Sequence, residues 1–110
     1  MRRPAAPTYL LEAFVDGEEL HVDGVVRGGS IQAMAVSRYT NKPLDRRRGA
    51  VVDSVVLDPV RFKQYYAQST DVAARVLRAL DRREGVFHLE AFRSGDRYLF
   101  SECAALPGAA

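Results

Sequence analysis

The chain has 110 residues, of which 47% are apolar, and a formal net charge of +2 at pH 7. This length suits one small domain with a modest core, and so small a charge gives no reason to expect a nucleic-acid partner. No apolar run approaches the roughly 18 residues of a membrane span, and no signal peptide is visible, so we expect a cytoplasmic chain without a membrane partner. The single cysteine, Cys103, excludes an internal disulfide, and we expect it to be a small buried hydrophobe.

The first 40 residues predict β-structure. Residues 1–8 are expected to be a flexible lead-in, and residues 9–110 a single domain. Apolar alternation then predicts three antiparallel strands, over 9–15, 19–26 and 31–39, joined by glycine-containing turns.

The middle of the chain changes from a polar loop to helices. Residues 40–50 predict a loop whose arginines, Arg46 to Arg48, either bind phosphate or are simply solvated. A short strand over 51–57 ends at Asp58-Pro59, since proline does not continue a strand ladder. Two helices are predicted next, an irregular one over 60–68 and a second that Thr70 or Asp71 caps and Gly85 ends.

The carboxyl end predicts a β-hairpin, with strands over 86–92 and 97–103. The order of all these elements predicts an α+β fold, a mainly antiparallel sheet with helices packed on one face. Strand alternation places His88 and Glu90 on one face of the hairpin.

The register of this hairpin decides whether two carboxylates meet. A three-residue loop at 95–97 pairs Glu90 with Glu102, whereas a two-residue loop at 94–95 separates them, because a one-residue slip reverses the faces of a strand. Facing carboxylates repel each other and are tolerated where a cation lies between them. Mg²⁺ prefers oxygen ligands, so Glu90 and Glu102 are candidate magnesium ligands. The alternative is that both are solvent-exposed hairpin residues.

Three segments, 9–19, 85–90 and 102–108, resemble the carboxyl-terminal lobe of an ATP-grasp domain, the fold of ATP-dependent carboxylate-amine ligases. The first segment is similar to the run in which the linker between the two ATP-grasp lobes meets the adenine of ATP. The resemblance implies that Glu12 and the backbone of the next three residues contact the adenine and that Glu19 lies near the ribose. The cofactor-binding residues are therefore Glu12, Ala13, Phe14, Val15 and Glu19.

The other two segments are similar to the magnesium-binding strands of this family. The resemblance implies that Glu90 is the first Mg²⁺ ligand and that Glu102 bridges two ions on the triphosphate. His88 stands where family members often contact phosphate, and the alternative is a half-buried strand histidine. We expect His21 only to lie on a strand face.

Other positions either support the resemblance or depart from it. Residues 23–29 and 37–39 resemble the subgroup that joins amino acids or similar small carboxylates to amines, which implies that Arg38 reaches substrate or phosphate; the alternative is a surface strand end. Ala104 stands where many relatives have an asparagine ligand, and Leu106 where they have an arginine.

Two functions follow from the resemblance. One is a truncated ATP-grasp domain that contributes the adenine-contacting and magnesium-binding half of a ligase site. The other is a non-catalytic remnant that acts as a protein-interaction domain. No first ATP-grasp lobe is found upstream of Tyr9, so we expect negligible ligase activity from the chain alone, because positioning contributes about 7 to 11 kcal/mol to such catalysis. An uncovered apolar surface around Tyr9, Leu11 and Ile31 would favour a homodimer or a complementary chain.

Overall fold

The computed structural model describes residues 16–40 and 53–105, which form an antiparallel sheet with a helix against one face. The elements are β1 (Glu18–Arg27), β2 (Ser30–Tyr39), β3 (Ser54–Val56), α1 (Lys63–Ala79), β4 (Gly85–Ser94) and β5 (Arg97–Ala105). In this part of the chain the five strands lie in the order β3-β2-β1-β4-β5. The predicted α+β class is confirmed.

Tight turns close the two long hairpins. Gly28 and Gly29 connect β1 to β2 with φ angles of 56° and 79°, a conformation that glycine adopts without steric cost. Gly95, with φ of 62°, and Asp96 connect β4 to β5, and Ser94 faces Arg97 across that turn. The second turn therefore has two residues, one fewer than the loop predicted to bring the glutamates together.

The core lies between the sheet and α1. Alternate residues of each long strand face the helix, and each fully buried aliphatic side chain contributes about 1.5 to 3 kcal/mol. Cys103 packs against this core and is half-buried. The buried apolar residues are Leu20, Val22, Val26, Val36, Leu57, Ala73, Leu77, Phe87, Leu89 and Ala91. We call the opposite side of the sheet, away from α1, the far face.

One helix replaces the two that the sequence predicts for this region. Ser69, Ala73 and Leu77 recur at four-residue spacing and are buried, so the apolar stripe runs without a break through the expected boundary at Thr70. Thr70 does not cap a new helix, because its hydroxyl donates to the Tyr66 carbonyl at 2.7 Å inside α1. The prediction of two helices is therefore wrong.

A tyrosine attaches the start of α1 to the sheet. The Tyr66 hydroxyl donates to the Leu57 carbonyl at 2.8 Å and accepts from the Val36 amide at 3.2 Å. The Leu57 amide in turn donates to the Val36 carbonyl at 2.8 Å. Strand β2, the segment after β3 and the helix are thus joined at one point.

Gly24 in the middle of β1 is required by close packing. A Cβ atom there would lie 2.6 Å from the Ala33 carbonyl oxygen and 2.6 Å from the ring of Phe87. The Phe87 side chain therefore occupies the space that a side chain at position 24 would need, a common reason for glycine within a strand.

Several sequence-based expectations lie outside the described residues. These are the lead-in, the strand over 9–15 with Tyr9 and Leu11, and Arg46 to Arg48. Ile31 is described and packs half-buried against the core, and the expectation of an uncovered apolar surface that includes Tyr9 and Leu11 stays a prediction. Within the described ranges, no helix combines the length and apolarity that crossing a bilayer demands.

Candidate functional site

Glu90 and Glu102 lie directly opposite each other across β4 and β5, and His88 lies opposite Ala104. This is the predicted pairing, but it arises in a different way. A regular ladder from the two-residue turn would place Ser101 opposite Glu90. The register instead shifts by one residue between Ala91, which pairs with Phe100, and Glu90. Ser101 is therefore the extra residue of a β-bulge, and the bulge returns Glu102 to the far face.

Strand β1 brings two more ionisable side chains to the same place. It pairs with β4 so that His21 lies opposite Glu90 and Asp23 lies opposite His88. Both residues alternate with the buried core residues of β1, so they project to the far face.

Successive hydrogen bonds connect these side chains to one another. His21 Nδ1 lies 2.6 Å from one carboxylate oxygen of Asp23, and His88 Nδ1 lies 2.7 Å from the other. His88 Nε2 is 3.5 Å from Glu90 Oε1, to which the Tyr39 hydroxyl donates at 3.1 Å. Glu102 lies directly opposite Glu90 and completes the group. We call this group the far-face cluster: His21, Asp23, Tyr39, His88, Glu90 and Glu102.

The cluster shifts the pKa values of three members. Partial burial favours the neutral form of each, but hydrogen bonds to the charged forms outweigh it. The two imidazoles hold the pKa of Asp23 below its ordinary value, and Asp23 with Glu90 raises the pKa of His88. Hydrogen bonds from Glu102, His88 and Tyr39 lower the pKa of Glu90. Glu90 is therefore ionised at neutral pH beside an imidazole that readily holds a proton.

Sequence reasoning missed His21, Asp23 and Tyr39 as members of this cluster. The pairs His21-x-Asp23 and His88-x-Glu90 both have the two-residue period of a strand face, and this was the available signal. Their contact depends on β1 lying beside β4, two strands that are far apart in the chain. Chain order alone does not specify that neighbourhood.

The other predicted site residues are placed differently. Glu19 pairs with Phe92 and lies two residues from His21, on the far face. The adenine-contacting residues Glu12, Ala13, Phe14 and Val15 lie outside the described residues. Their predicted roles remain predictions.

Arg38 lies on the α1 side of the sheet. Its Nη1 atom is 3.1 Å from Glu18 Oε1, and its guanidinium carbon is 5.8 Å from the centre of the Phe62 ring. The Tyr65 hydroxyl also donates to Glu18, at Oε2. The structure thus places Arg38 in a contact that ties β1 and β2 to the start of the helix, and does not bring it to His88 or Glu90.

The donor set of Glu90 and Glu102 fits Mg²⁺. Both supply oxygen, the ligand that this ion prefers, and magnesium sites in proteins often use only two carboxylates together with water and phosphate. Two facing carboxylates repel each other, and a cation between them removes that repulsion. Glu102 is exposed and Glu90 is half-buried, so the pair is open to an incoming ion.

Comparisons with solved structures identify the fold. The chain is similar to N5-carboxyaminoimidazole ribonucleotide synthetase from Thermus thermophilus, with 26% identity, a TM-score of 0.62 and coverage of 84% of this chain and 25% of that one. It is also similar to D-alanine–D-alanine ligase from Bacillus anthracis, with 15% identity, a TM-score of 0.61 and coverage of 88% of this chain and 32% of that one. Both of those proteins are ATP-grasp enzymes. The fold is that of an ATP-grasp domain fragment.

The ATP-grasp fragment spans between a quarter and a third of the length of these two solved structures. No protein-family model matches it, and no curated protein does. The predicted resemblance to this fold is therefore confirmed by three-dimensional similarity, while the roles of individual residues rest on the chemistry of the far face.

Proposed function

We propose that this chain supplies the magnesium-binding wall of an ATP site, with Glu90 and Glu102 as the ligands of Mg²⁺ on the triphosphate. The observation that carries the proposal is the pairing of these carboxylates on the far face, which requires the bulge at Ser101. A regular hairpin would turn Glu102 toward α1, so the bulge determines that this side chain lies on the far face. Bulges commonly redirect a side chain at a binding site.

His88 has a defined part in this proposal. Asp23 approaches the ring Nδ1 at 2.7 Å and raises the pKa of His88, which stabilises a positive charge next to the carboxylate pair. A triphosphate that reaches Glu90 and Glu102 through Mg²⁺ carries negative oxygens, which a protonated imidazole attracts. Mg²⁺, when bound, would neutralise the triphosphate and stabilise charge that develops on the transferred phosphoryl group.

The nucleoside would lie toward the other end of the far face. Glu19 is two residues along β1 from His21 and is proposed to face the ribose. Glu12, Ala13, Phe14 and Val15 precede it in the chain and are proposed to contact the adenine. We leave Arg38 out of the nucleotide site because its guanidinium is paired with Glu18 on the α1 side.

The activity that such a wall would serve is the ATP-dependent joining of a small carboxylate to an amine. The chain matches a quarter to a third of the two solved enzymes, so these 110 residues would supply only part of such a site. We expect nucleotide binding, but negligible ligase turnover, from these 110 residues alone.

Thermal unfolding with ligand tests the proposal directly. A ligand at 100 times its dissociation constant stabilises the native state by about 2.7 kcal/mol, which shifts the melting temperature of so small a domain by roughly 10 °C or more. We expect a rise with ATP and Mg²⁺ together that Glu90→Gln and Glu102→Gln abolish. The matched control is Asp71→Asn in α1, which also converts an exposed carboxylate to an amide. If millimolar magnesium-ATP leaves the melting temperature unchanged, the chain does not have the proposed function.

A further inference from the structure

A second group of ligands adjoins the carboxylate pair and has a different chemistry. We propose that His21, Asp23 and His88 form a site for one divalent transition-metal ion of the Zn²⁺ or Co²⁺ type, distinct from the magnesium site. One ligand atom from each of the three residues can be chosen so that all lie within 4.8 Å of one another. The inference goes beyond the proposed function and does not depend on ATP binding.

The backbone holds these three side chains together. His21 and Asp23 are neighbours on the far face of β1, and Asp23 lies directly opposite His88 on β4. Their nearest contacts, 2.6 Å and 2.7 Å, join each imidazole Nδ1 to the Asp23 carboxylate. A tetrahedral site with bonds of about 2.0 Å separates its ligands by roughly 3.3 Å. The imidazole that shares the ligating Asp23 oxygen must therefore move away by about half an ångström, while ligand atoms as far apart as 4.8 Å must come closer together.

The donor atoms select the class of metal. Two imidazole nitrogens and one carboxylate oxygen suit Zn²⁺ and its neighbours in the first transition row, whereas Mg²⁺ is held by oxygen. The carboxylate pair of Glu90 and Glu102 offers oxygen alone. The far face would therefore offer two adjoining sets of ligands for ions of different types, and His88 would act as a protonated imidazole only while the transition-metal site is empty.

Glu90 supplies an independent indication of the second site. Histidines that bind a metal through one nitrogen usually donate the other N–H to a carboxylate, which fixes the ring. His88 Nε2 lies 3.5 Å from Glu90 Oε1, while its Nδ1 faces Asp23. When Nδ1 binds the ion, Nε2 keeps its proton and donates a hydrogen bond to the Glu90 carboxylate.

An ion can reach the site and keep an open position. The side chains of Asp23 and His88 are 48% and 40% exposed, whereas that of His21 is only 15% exposed. Three protein ligands leave a fourth tetrahedral position for water or another ligand. Asp23 and His88 also line a cavity of about 590 Å³, together with Ala33 and Val86.

The chain has few residues that can bind a transition metal, so a metal-binding test is specific. His21 and His88 are its only two histidines, and Cys103 is its only cysteine. Absorption of Co²⁺ added to the metal-free chain, without a histidine tag, reports on nitrogen and oxygen ligands, and a thiolate band would reveal Cys103 instead. We expect one Co²⁺ per chain with a tetrahedral spectrum and no thiolate band, displaced by one equivalent of Zn²⁺.

Variants separate this site from the magnesium site. His21→Gln and His88→Gln should each weaken Co²⁺ binding by more than about 100-fold, and Glu90→Gln by roughly 10-fold through loss of the partner of His88. Glu102→Gln should leave Co²⁺ binding unchanged while it abolishes the response to magnesium-ATP. Far-ultraviolet circular dichroism establishes that each variant is folded. His88→Gln is the safer of the two histidine substitutions, because the side chain of His88 is more exposed than that of His21. Absence of Co²⁺ binding at ten equivalents, or binding that survives both histidine substitutions, would overturn the proposal, and neither result bears on nucleotide binding.

Discussion

Glu102 faces Glu90 across the last hairpin only because one extra residue, Ser101, interrupts the ladder between the turn and this pair. The turn by itself sets a register that would aim Glu102 into the core. The bulge corrects that register for the last strand positions and leaves the rest of β5 paired regularly. The position of the proposed magnesium ligand therefore depends on a local irregularity and not on strand alternation alone.

Cross-linking can check that relationship. In a Cys103→Ala background, Glu90→Cys with Glu102→Cys places two thiols on directly opposite residues, at a separation that a disulfide can span. We expect this pair to oxidise faster than Glu90→Cys with Ser101→Cys, the pair that a ladder without a bulge would align. Intramolecular disulfide yield, measured by mass spectrometry after mild oxidation, distinguishes the two registers. Equal or reversed rates would show that the ladder is regular.

Much of the fold could be predicted from the sequence, because the strands alternate cleanly and glycine marks the turns. The paired glutamates were predicted too, although with a different loop. The bulge could not be predicted, because nothing in the sequence at Phe100 and Ser101 marks either residue as the extra one. The helix boundary at Thr70 was misjudged because a threonine that caps a helix and one that bonds back inside it look alike in sequence.

The pairing of β1 with β4 was the other unpredicted part. It places Asp23 opposite His88, and these two residues are 65 positions apart in the sequence. Contacts between strands so distant in the chain depend on how the whole sheet is ordered, which local patterns do not encode. The candidate second metal site was missed for this reason.

Substitution of Asp23 should lower the pKa of His88. In Asp23→Asn the charged partner is gone, so we expect the pKa of His88 to fall from its raised value toward or below its ordinary one. Proton NMR of the metal-free chain follows the imidazole resonances of His21 and His88 through a pH titration. An unchanged His88 titration in the variant would mean that Asp23 is not its partner in solution.

The same substitution should change how stability depends on pH. A raised His88 pKa contributes stability that is full below the unfolded value of about 6.5 and is lost as the pH rises through the folded value. The lowered Asp23 pKa contributes stability above its unfolded value of about 3.9, which is lost as the pH falls through the folded value. We therefore expect the difference in urea-unfolding free energy between wild type and Asp23→Asn to be largest at mildly acidic pH. A difference that stays constant from strongly acidic to mildly alkaline pH would contradict this linkage.

Gly24→Ala should destabilise the sheet. Its new Cβ would lie 2.6 Å from the Ala33 carbonyl oxygen, which is backbone and has little freedom to move, and equally close to the Phe87 ring. Overpacking of this kind typically costs about 1 to 3 kcal/mol in urea-unfolding free energy. Gly28→Asn is the matched control, because no atom lies within 4 Å of a Cβ there and asparagine tolerates positive φ. Equal stabilities of the two variants would mean that the crowding at Gly24 is not present in solution.

Tyr98→Phe should leave a buried hydroxyl without its partner. Ser69 in α1 is 0% exposed, and its hydroxyl lies 2.8 Å from that of Tyr98. An unsatisfied buried polar group costs about 1 to 3 kcal/mol, so the single variant should lose that much. The double variant with Ser69→Ala removes both partners, and we expect it to be more stable than the sum of the two single changes predicts. Strict additivity in urea unfolding would show that the hydroxyls do not interact.

Because the far-face cluster is partly in contact with water, its charges are subject to screening by dissolved salt. Mobile ions shield exposed charges over about 8 Å at physiological ionic strength, and over shorter distances as salt is added. A substrate or protein seated on this face would displace that water and lower the local dielectric constant, which strengthens every charged hydrogen bond beneath it. The imidazole and carboxylate groups would then be more weakly coupled in the free chain than beneath such a bound molecule.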